Sequence, residues 1–184
     1  MTDYGEQKHN EISLWFAMYA YKREMRIQKE LEEAGIESFI PMHYILKECN
    51  GKKQRILVPA ISNLVFVHTT KSILYDFKLK APYLQYITQK INSHREIITI
   101  PNRQMQEFIK IAKKHEEDLI YYKPEEISLA KGDKVRVHGG AFDGVEGVLL
   151  KLKGKRSKRV VVEIPGVIAI AAAYIEPDLI EIIS

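Results

Sequence analysis

The sequence predicts an α+β protein with an N-terminal, mostly antiparallel sheet flanked by helices, a linker, and a small C-terminal five-stranded β-barrel. Strand-like and helix-like patterns alternate over residues 12–115, which indicates helices packed on one sheet. Five short β-branched segments, separated by Gly, Pro or basic turns, fill residues 129–184 and are typical of a small barrel. Residues 116–128 are charged and aperiodic, which predicts a linker, and the polar residues 1–11 are predicted to be a disordered tail.

The first strands and the first helix follow from apolar spacing. The stretch "LWFAMYAY" (14–21) predicts a buried strand, and "KREMRIQKELEEAG" predicts a helix that ends at Gly35, a favourable C-cap residue. "IESFIPMHYILKE" predicts a second strand with Pro41 at an edge or bend. Asn50-Gly51 predicts a tight hairpin that leads back into the strand "RILVPAISNLVFVHT".

The remaining elements complete both predicted domains. "KSILYDFKLK" predicts a short helix, Pro82 a break before a short strand, and Pro101 the start of a helix. The apolar stripe of that last helix consists of Met105, Phe108, Ile109 and Ala112. The five C-terminal strands are predicted at "DKVRVH", "VEGVLLKL", "RVVVEI", "VIAIAAA" and "LIEII". The alanines of "VIAIAAAYIE" also permit a helix, although Pro165 and Gly166 favour the barrel.

Composition excludes several classes of function. A net charge of +4 permits a nucleic-acid partner without demanding one. The single Cys49 and six scattered histidines offer no disulfide and no zinc site. No catalytic motif or apolar carboxylate pair is present, so we expect no enzyme, no metal and no cofactor. The polar N-terminus and the lack of a long apolar run predict a cytoplasmic protein without a membrane partner.

The segment "VRVHGGAFDGVEGVLLKLKGKRSKR" combines glycines with basic residues. It lacks both the G-x-x-x-x-G-K-[ST] pattern and a following helix, so its glycines are predicted to serve barrel corners rather than a phosphate. The basic run leaves two interpretations open. It is either a solvated hairpin tip or a contact to a nucleic-acid backbone through Lys155, Arg156, Lys158 and Arg159.

Aromatic and apolar residues lie on both faces of the first strand. Trp15 and Tyr19 share one face because strand side chains alternate, and Leu64 and Phe66 likewise share one face of their strand. We expect one sheet face to meet the helices, and the other to be an exposed apolar surface for a partner.

These segments together resemble the NusG family. "WFAMYAYKREMRIQKEL" is similar to the opening of the family's N-terminal domain, "AISNLVFV" to its hallmark strand, and "ITIPNRQMQEFIKI" to its closing helix. "KGDKVRVHGGAFDGVEGVLLKL" is close to the KOW signature V-x-V-x-x-G-x-F-x-G-x-x-G. The resemblance covers residues 13–183 in the family's domain order.

The resemblance implies a transcription elongation or antitermination factor. Its N-terminal domain would bind the β′ clamp helices of RNA polymerase and suppress pausing or termination, and its KOW domain would recruit a ribosomal protein or a termination factor. Matching positions imply polymerase contacts at Tyr19, Ile61, Leu64 and Phe66. They imply contacts to the KOW partner at Phe142, Ile164 and Pro165.

The resemblance also implies nucleic-acid contacts, to non-template DNA or nascent RNA. Lys22, Arg23 and Arg26 lie near the first helix, and Tyr75, Lys78 and Lys80 lie in the helix after the hallmark strand. Ile61 and Ser62-Asn63 replace the family's usual Phe and Pro-Gly or Pro-Asn.

The weakened motif and the basic KOW hairpin favour a specialised RfaH- or UpxY-like member that acts on operons such as surface polysaccharide loci. The chain is expected to be a monomer. In RfaH the KOW domain can be helical and mask the polymerase-binding face, so fold switching stays open for this chain. The alternative function is an RNA-binding KOW module of ribosome-associated type.

Overall fold

The structure, a computed structural model, describes residues 11–114, 119–126, 128, 132–172 and 174–183. Every strand ladder in these ranges is antiparallel. This confirms the predicted α+β class. The predicted tail lies outside the described residues except for Glu11, and so do residues 116–118 and 127 of the predicted linker. Within the described ranges no helix is both long and apolar enough to cross a membrane.

Contacts group the chain into two compact units that interleave in sequence. The first unit comprises Met1–Ile40 and Ser62–Asn102, and the second comprises Pro41–Ile61 and Arg103–Ser184. The predicted domain boundaries at 115 and 129 stay a prediction.

The first unit is built on an antiparallel sheet whose strand order is β2-β5-β1-β6, with β9 pairing beside β1. The predicted second strand is split at Pro41, which has no N–H for a sheet ladder, into β2 and the strand Met42–Cys49 of the second unit. Strands β7 and β8 form a separate two-stranded hairpin. The elements are β1 (Leu14–Tyr19), α1 (Glu24–Glu33), β2 (Glu37–Phe39), β5 (Leu64–Thr69), α2 (Lys71–Lys80), β6 (Gln85–Tyr86), β7 (Thr88–Ile91), β8 (His94–Ile97) and β9 (Thr99–Ile100).

The core of the first unit surrounds the two central strands. Residues 15–18 of β1 and 64–67 of β5 are all buried, which means that both faces of these strands are covered. Ile27 and Leu31, four residues apart on α1, contribute the buried side of that helix.

The second unit contains a long hairpin, a helix and a six-stranded antiparallel sheet with strand order β10-β14-β13-β12-β11-β15. The five predicted C-terminal strands are confirmed, including the one at the alanine-rich segment. The sixth, β10, arises inside the predicted linker and pairs with β14. Closure of these strands into a barrel stays a prediction. The elements are β3 (Met42–Cys49), β4 (Lys52–Pro59), α3 (Asn102–Ala112, whose first residue belongs to the first unit), β10 (Ile120–Tyr122), β11 (Asp133–Val137), β12 (Glu146–Lys151), β13 (Lys158–Ile164), β14 (Ile168–Ala171) and β15 (Ile180–Ile182).

Candidate functional site

The register of β1 against β5 assembles one sheet face from residues that are far apart in sequence. Tyr19 pairs with Leu64, and Ala17 pairs with Phe66. Directly opposed residues of an antiparallel pair project to the same side of the sheet. Tyr19, Leu64 and Phe66 therefore lie on one face, which we call the Tyr19 face.

Exposure on the Tyr19 face differs from the expected open apolar surface. Tyr19 is 45% exposed, whereas Leu64 is 3% exposed and Phe66 is fully buried. Ile61, in the turn before β5, is half-buried. Leu64 and Phe66 lie on a central strand that is covered on both faces, so they serve the core here. A partner could reach these two side chains only after they are uncovered, whereas Tyr19 is accessible.

The opposite end of the Tyr19 face is fixed by Trp15. Its ring stacks on His68 with centroids 4.8 Å apart, and its Nε1 donates to Asn102 Oδ1 at 3.2 Å. His68 Nδ1 in turn lies 2.8 Å from Glu37 Oε2. These contacts hold this end of the face rigid, and its accessible part lies at Tyr19.

Asn63 ties the turn after β1 to the start of β5. Its Oδ1 accepts a hydrogen bond from Lys22 N at 2.6 Å, and its carbonyl accepts one from Ala20 N at 2.8 Å. Its own N–H donates to the buried carboxylate of Glu24. Asn63 adopts a left-handed backbone with φ of 70°, which Asn tolerates better than most residues. These bonds set the position of the chain that follows Tyr19.

Asn63→Ala is expected to lower the free energy of unfolding by about 2 kcal/mol, because it removes the acceptor for Lys22 N and leaves alanine in the left-handed region. Asn63→Gly loses the same acceptor but adopts that backbone freely, so we expect a loss of about 1 kcal/mol. Urea denaturation measures both. Equal stabilities for the two variants would show that backbone conformation at this position does not matter.

Two of the predicted nucleic-acid residues contact one tyrosine. The guanidinium carbons of Arg23 and Arg26 lie 4.8 and 5.5 Å from the centroid of the Tyr83 ring. Arg26 Nε also donates to Glu30 Oε1 at 2.8 Å, and the Tyr83 hydroxyl donates to the same carboxylate. The hydrogen bonds from Tyr83 and Arg26 lower the pKa of Glu30, and burial together with Glu30 raises the pKa of Tyr83. We call Arg23, Arg26, Tyr83 and Glu30 the Tyr83 cluster.

The third residue of that predicted group, Lys22, has an exposed side chain, and its backbone is held by Asn63. A second cation–aromatic pair forms on α2, where Lys78 Nζ lies 3.7 Å from the centroid of the Tyr86 ring and burial lowers the pKa of Lys78. Tyr75 and Lys80 of the same helix are exposed. The sequence interpretation missed Tyr83 and Tyr86, for which the only signal was two aromatic residues shortly after the break at Pro82.

The basic run in the second unit is less uniform than predicted. Arg156 and Lys158 are exposed and Lys155 is half-buried. Arg159 is only 7% exposed and donates from a terminal nitrogen to the Ala172 carbonyl at 3.2 Å. The expectation that all four cations face solvent is therefore corrected for Arg159, which lies within the buried stretch of β13.

The predicted contacts to the KOW partner are mostly covered. Phe142 and Ile164 are buried, and Pro165 is exposed. Phe142 lies in the 3-10 turn Gly140–Phe142 with its ring packed inward rather than projecting. Among the described residues, no group of three histidine, cysteine, aspartate or glutamate side chains could hold a metal ion.

Comparison with known proteins identifies a family. Residues 13–109 match the family profile described as "Transcription termination factor nusG". A solved structure described as "Domain interaction in Thermotoga maritima NusG" is 19% identical to the chain with a TM-score of 0.47, and the match covers 94% of this chain and 98% of that one. No curated protein sequence matches the chain.

Proposed function

The chain belongs to the NusG family, whose profile spans residues 13–109 of 184, and on that premise we propose that it binds the β′ clamp helices of RNA polymerase through the Tyr19 face. It acts without catalysis, as a cytoplasmic, monomeric elongation factor that suppresses pausing or termination. The observation that carries this proposal is the β1–β5 register, which aligns Tyr19 with Leu64 and leaves Tyr19 accessible. Exposed Tyr21, with its ring centroid 6.3 Å from that of Tyr19, extends this accessible edge.

A binding protein of this kind acts by shifting populations. Tighter binding to one clamp conformation shifts the clamp toward it by the difference in binding free energy. The buried state of Leu64 and Phe66 makes the fully apolar contact surface a minor conformation, and this lowers the apparent affinity by the fraction in which they are uncovered. The partner would contact Tyr19 first.

Operon specificity is the finer part of the proposal. The side chains of Lys22, Arg23 and Arg26 are exposed cations that suit contacts to nucleic-acid phosphates, and we assign them to non-template DNA, with nascent RNA as the alternative ligand. Ile61 and Ser62-Asn63 depart from the family's usual hallmark, which supports an RfaH- or UpxY-like role at operons such as surface polysaccharide loci.

The C-terminal sheet supplies the remaining proposed contacts. A ribosomal protein or a termination factor would bind around Phe142, Ile164 and Pro165, of which only Pro165 is accessible before any rearrangement. The second candidate function is RNA binding through the hairpin of β12 and β13, where Arg156 and Lys158 are exposed. A measurement of RNA affinity would test it.

Tyr19→Ala is expected to weaken binding to a purified β′ clamp-helix fragment at least 10-fold, which corresponds to about 1.4 kcal/mol, because it removes the accessible aromatic anchor of the contact. Affinity is measured by titration with the full chain. In a transcription assay with the same polymerase, the variant should leave pauses longer than the wild-type factor does.

Tyr174→Ala is the matched control, since Tyr174 is 46% exposed and lies in the second unit. It should bind the clamp helices like the wild type, and both variants should keep the wild-type urea midpoint. Wild-type affinity of a folded Tyr19→Ala variant would exclude the proposed site.

A further inference from the structure

The hairpin of β3 and β4 concentrates the positive charge of the chain. Residues 42–59 contain the cations Lys47, Lys52, Lys53 and Arg55 and the single carboxylate of Glu48, a net charge of +3 against +4 for the whole chain. Everything outside this hairpin therefore sums to only +1. Nothing in the proposed clamp contact uses this segment.

The register separates the two faces of the hairpin. Lys47 pairs with Gln54, and Cys49 pairs with Lys52, so one face near the tip presents two lysines and no carboxylate. Glu48 pairs with Lys53 on the other face. The side chains of Lys47, Lys52 and Lys53 are exposed, and among the described residues none of them forms an ion pair with a carboxylate.

Arg55 is held in place by an aromatic ring. Its guanidinium carbon lies 4.1 Å from the centroid of the Tyr44 ring, and Leu46 stands opposite it across the ladder. A planar guanidinium on an aromatic face loses little freedom when it binds, and its fork of donors matches phosphate oxygens. One face of Tyr44 is covered by this contact.

Contacts of Tyr121 hold the base of the hairpin in place, whereas its tip is a two-residue turn. The Tyr121 hydroxyl donates a hydrogen bond to the Met42 carbonyl at 3.3 Å. The Tyr121 ring meets the His43 ring edge-on, with the two centroids 6.4 Å apart. Burial raises the pKa of Tyr121 far above its ordinary value, so this hydroxyl keeps its proton. Asn50 and Gly51 turn the chain with φ of 52° and 71°, the tightest kind of hairpin turn. Two eight-residue strands give a ribbon about 26 Å long.

We propose that this hairpin binds the backbone of double-stranded DNA, with the ribbon in the major groove and Lys47, Lys52, Lys53 and Arg55 at the flanking phosphates. The major groove, about 12 Å wide, admits a two-stranded β-ribbon. The deep, narrow major groove of A-form RNA does not. A single strand is the poorer ligand, because it needs open aromatic rings for base stacking, and the Tyr44 ring is partly occupied by Arg55.

The test is a titration of the full chain against a 20-base-pair DNA duplex, without polymerase. The triple variant Lys47→Gln, Lys52→Gln, Lys53→Gln should bind at least 10-fold more weakly than the wild type at low salt. The slope of log affinity against log salt should fall by about 2–3, since each lost phosphate contact contributes about 0.9.

A matched control removes the same charge elsewhere, with Lys90→Gln, Lys113→Gln and Lys114→Gln, all exposed and outside the hairpin. We expect it to change duplex affinity less than 3-fold. An equal loss of duplex affinity in both triple variants would mean that net charge, rather than the hairpin, determines binding, and it would overturn the site. Tighter binding of single-stranded DNA or of an RNA duplex would overturn the choice of ligand. Because this titration contains no polymerase, a negative result would not affect the proposed clamp contact at Tyr19. A negative result in the clamp-binding test would likewise not affect the DNA proposal.

Discussion

Phe66→Ala is expected to lower the free energy of unfolding by about 3–5 kcal/mol, the usual range for removing a fully buried phenylalanine. Phe66 is among the largest fully buried side chains of the chain. It stands opposite Ala17 on one neighbouring strand and opposite Phe39 on the other. Ala17 is too small to fill the cavity, and the paired strands restrict its collapse. Chemical denaturation followed by tryptophan fluorescence measures the loss, because the only tryptophan, Trp15, lies in the same sheet.

Phe66→Ala also distinguishes a role of Phe66 in the core from a role in binding the polymerase clamp helices. If Phe66 acts mainly in the core, weaker clamp binding by Phe66→Ala should follow the loss of folded protein, and Phe66→Leu should restore most of both. Tyr19→Ala should show the reverse, with binding lost and stability kept. A folded Phe66→Ala variant with near wild-type stability would contradict the burial of this ring.

The sequence predicts which side chains of the central strands share a face, but it does not predict whether other segments bury that face. The alternation of side chains along a strand places Leu64 and Phe66 together whatever the rest of the chain does. Whether that face meets solvent depends on which other segments pack on it, and an apolar run such as 64–67 looks the same in either case. Covering is a long-range property, which is why the exposed surface was predicted where the structure has a buried one.

Residues that act through distant hydrogen bonds left little signal in the sequence. Asn63 is 41 residues from Lys22 and 39 from Glu24, and its role depends on a turn that brings these groups together. Strand β10 has only three residues, too few for a period, and it forms because β14 offers it a free edge. Arg159 belongs to a run of cations that suggested solvent, although a long side chain can bury its stem and reach a carbonyl.

The glycines between Val135 and Gly147 separate into two physical classes. Gly139, Gly140 and Gly144 have φ of 79°, 67° and 78°, so they serve turns, as the sequence predicted for the whole group. Gly147 differs, because it lies inside β12, opposite Val135. A Cβ on Gly147 would stand 2.6 Å from the Val161 carbonyl oxygen and 2.9 Å from Val160 Cγ1. Close approach of a neighbouring strand, rather than a turn, requires this glycine.

Gly147→Ala is therefore expected to lower the free energy of unfolding by about 3 kcal/mol, at the upper end of the usual cost of overpacking. The clash is with backbone, and the ladder pairs Val148 with Val161 and Leu149 with Val160, so neither strand can move aside without losing hydrogen bonds. In an open strand the same change would stabilise by roughly 0.5–1 kcal/mol, which makes the sign of the effect decisive. Gly144→Ala is the control, since its Cβ would meet open space and only the left-handed backbone resists, at about 1 kcal/mol. Urea denaturation gives the free energies, and amide exchange should show the loss concentrated in β12 and β13. A Gly147→Ala variant as stable as the wild type would mean that these strands do not approach as closely as the register requires.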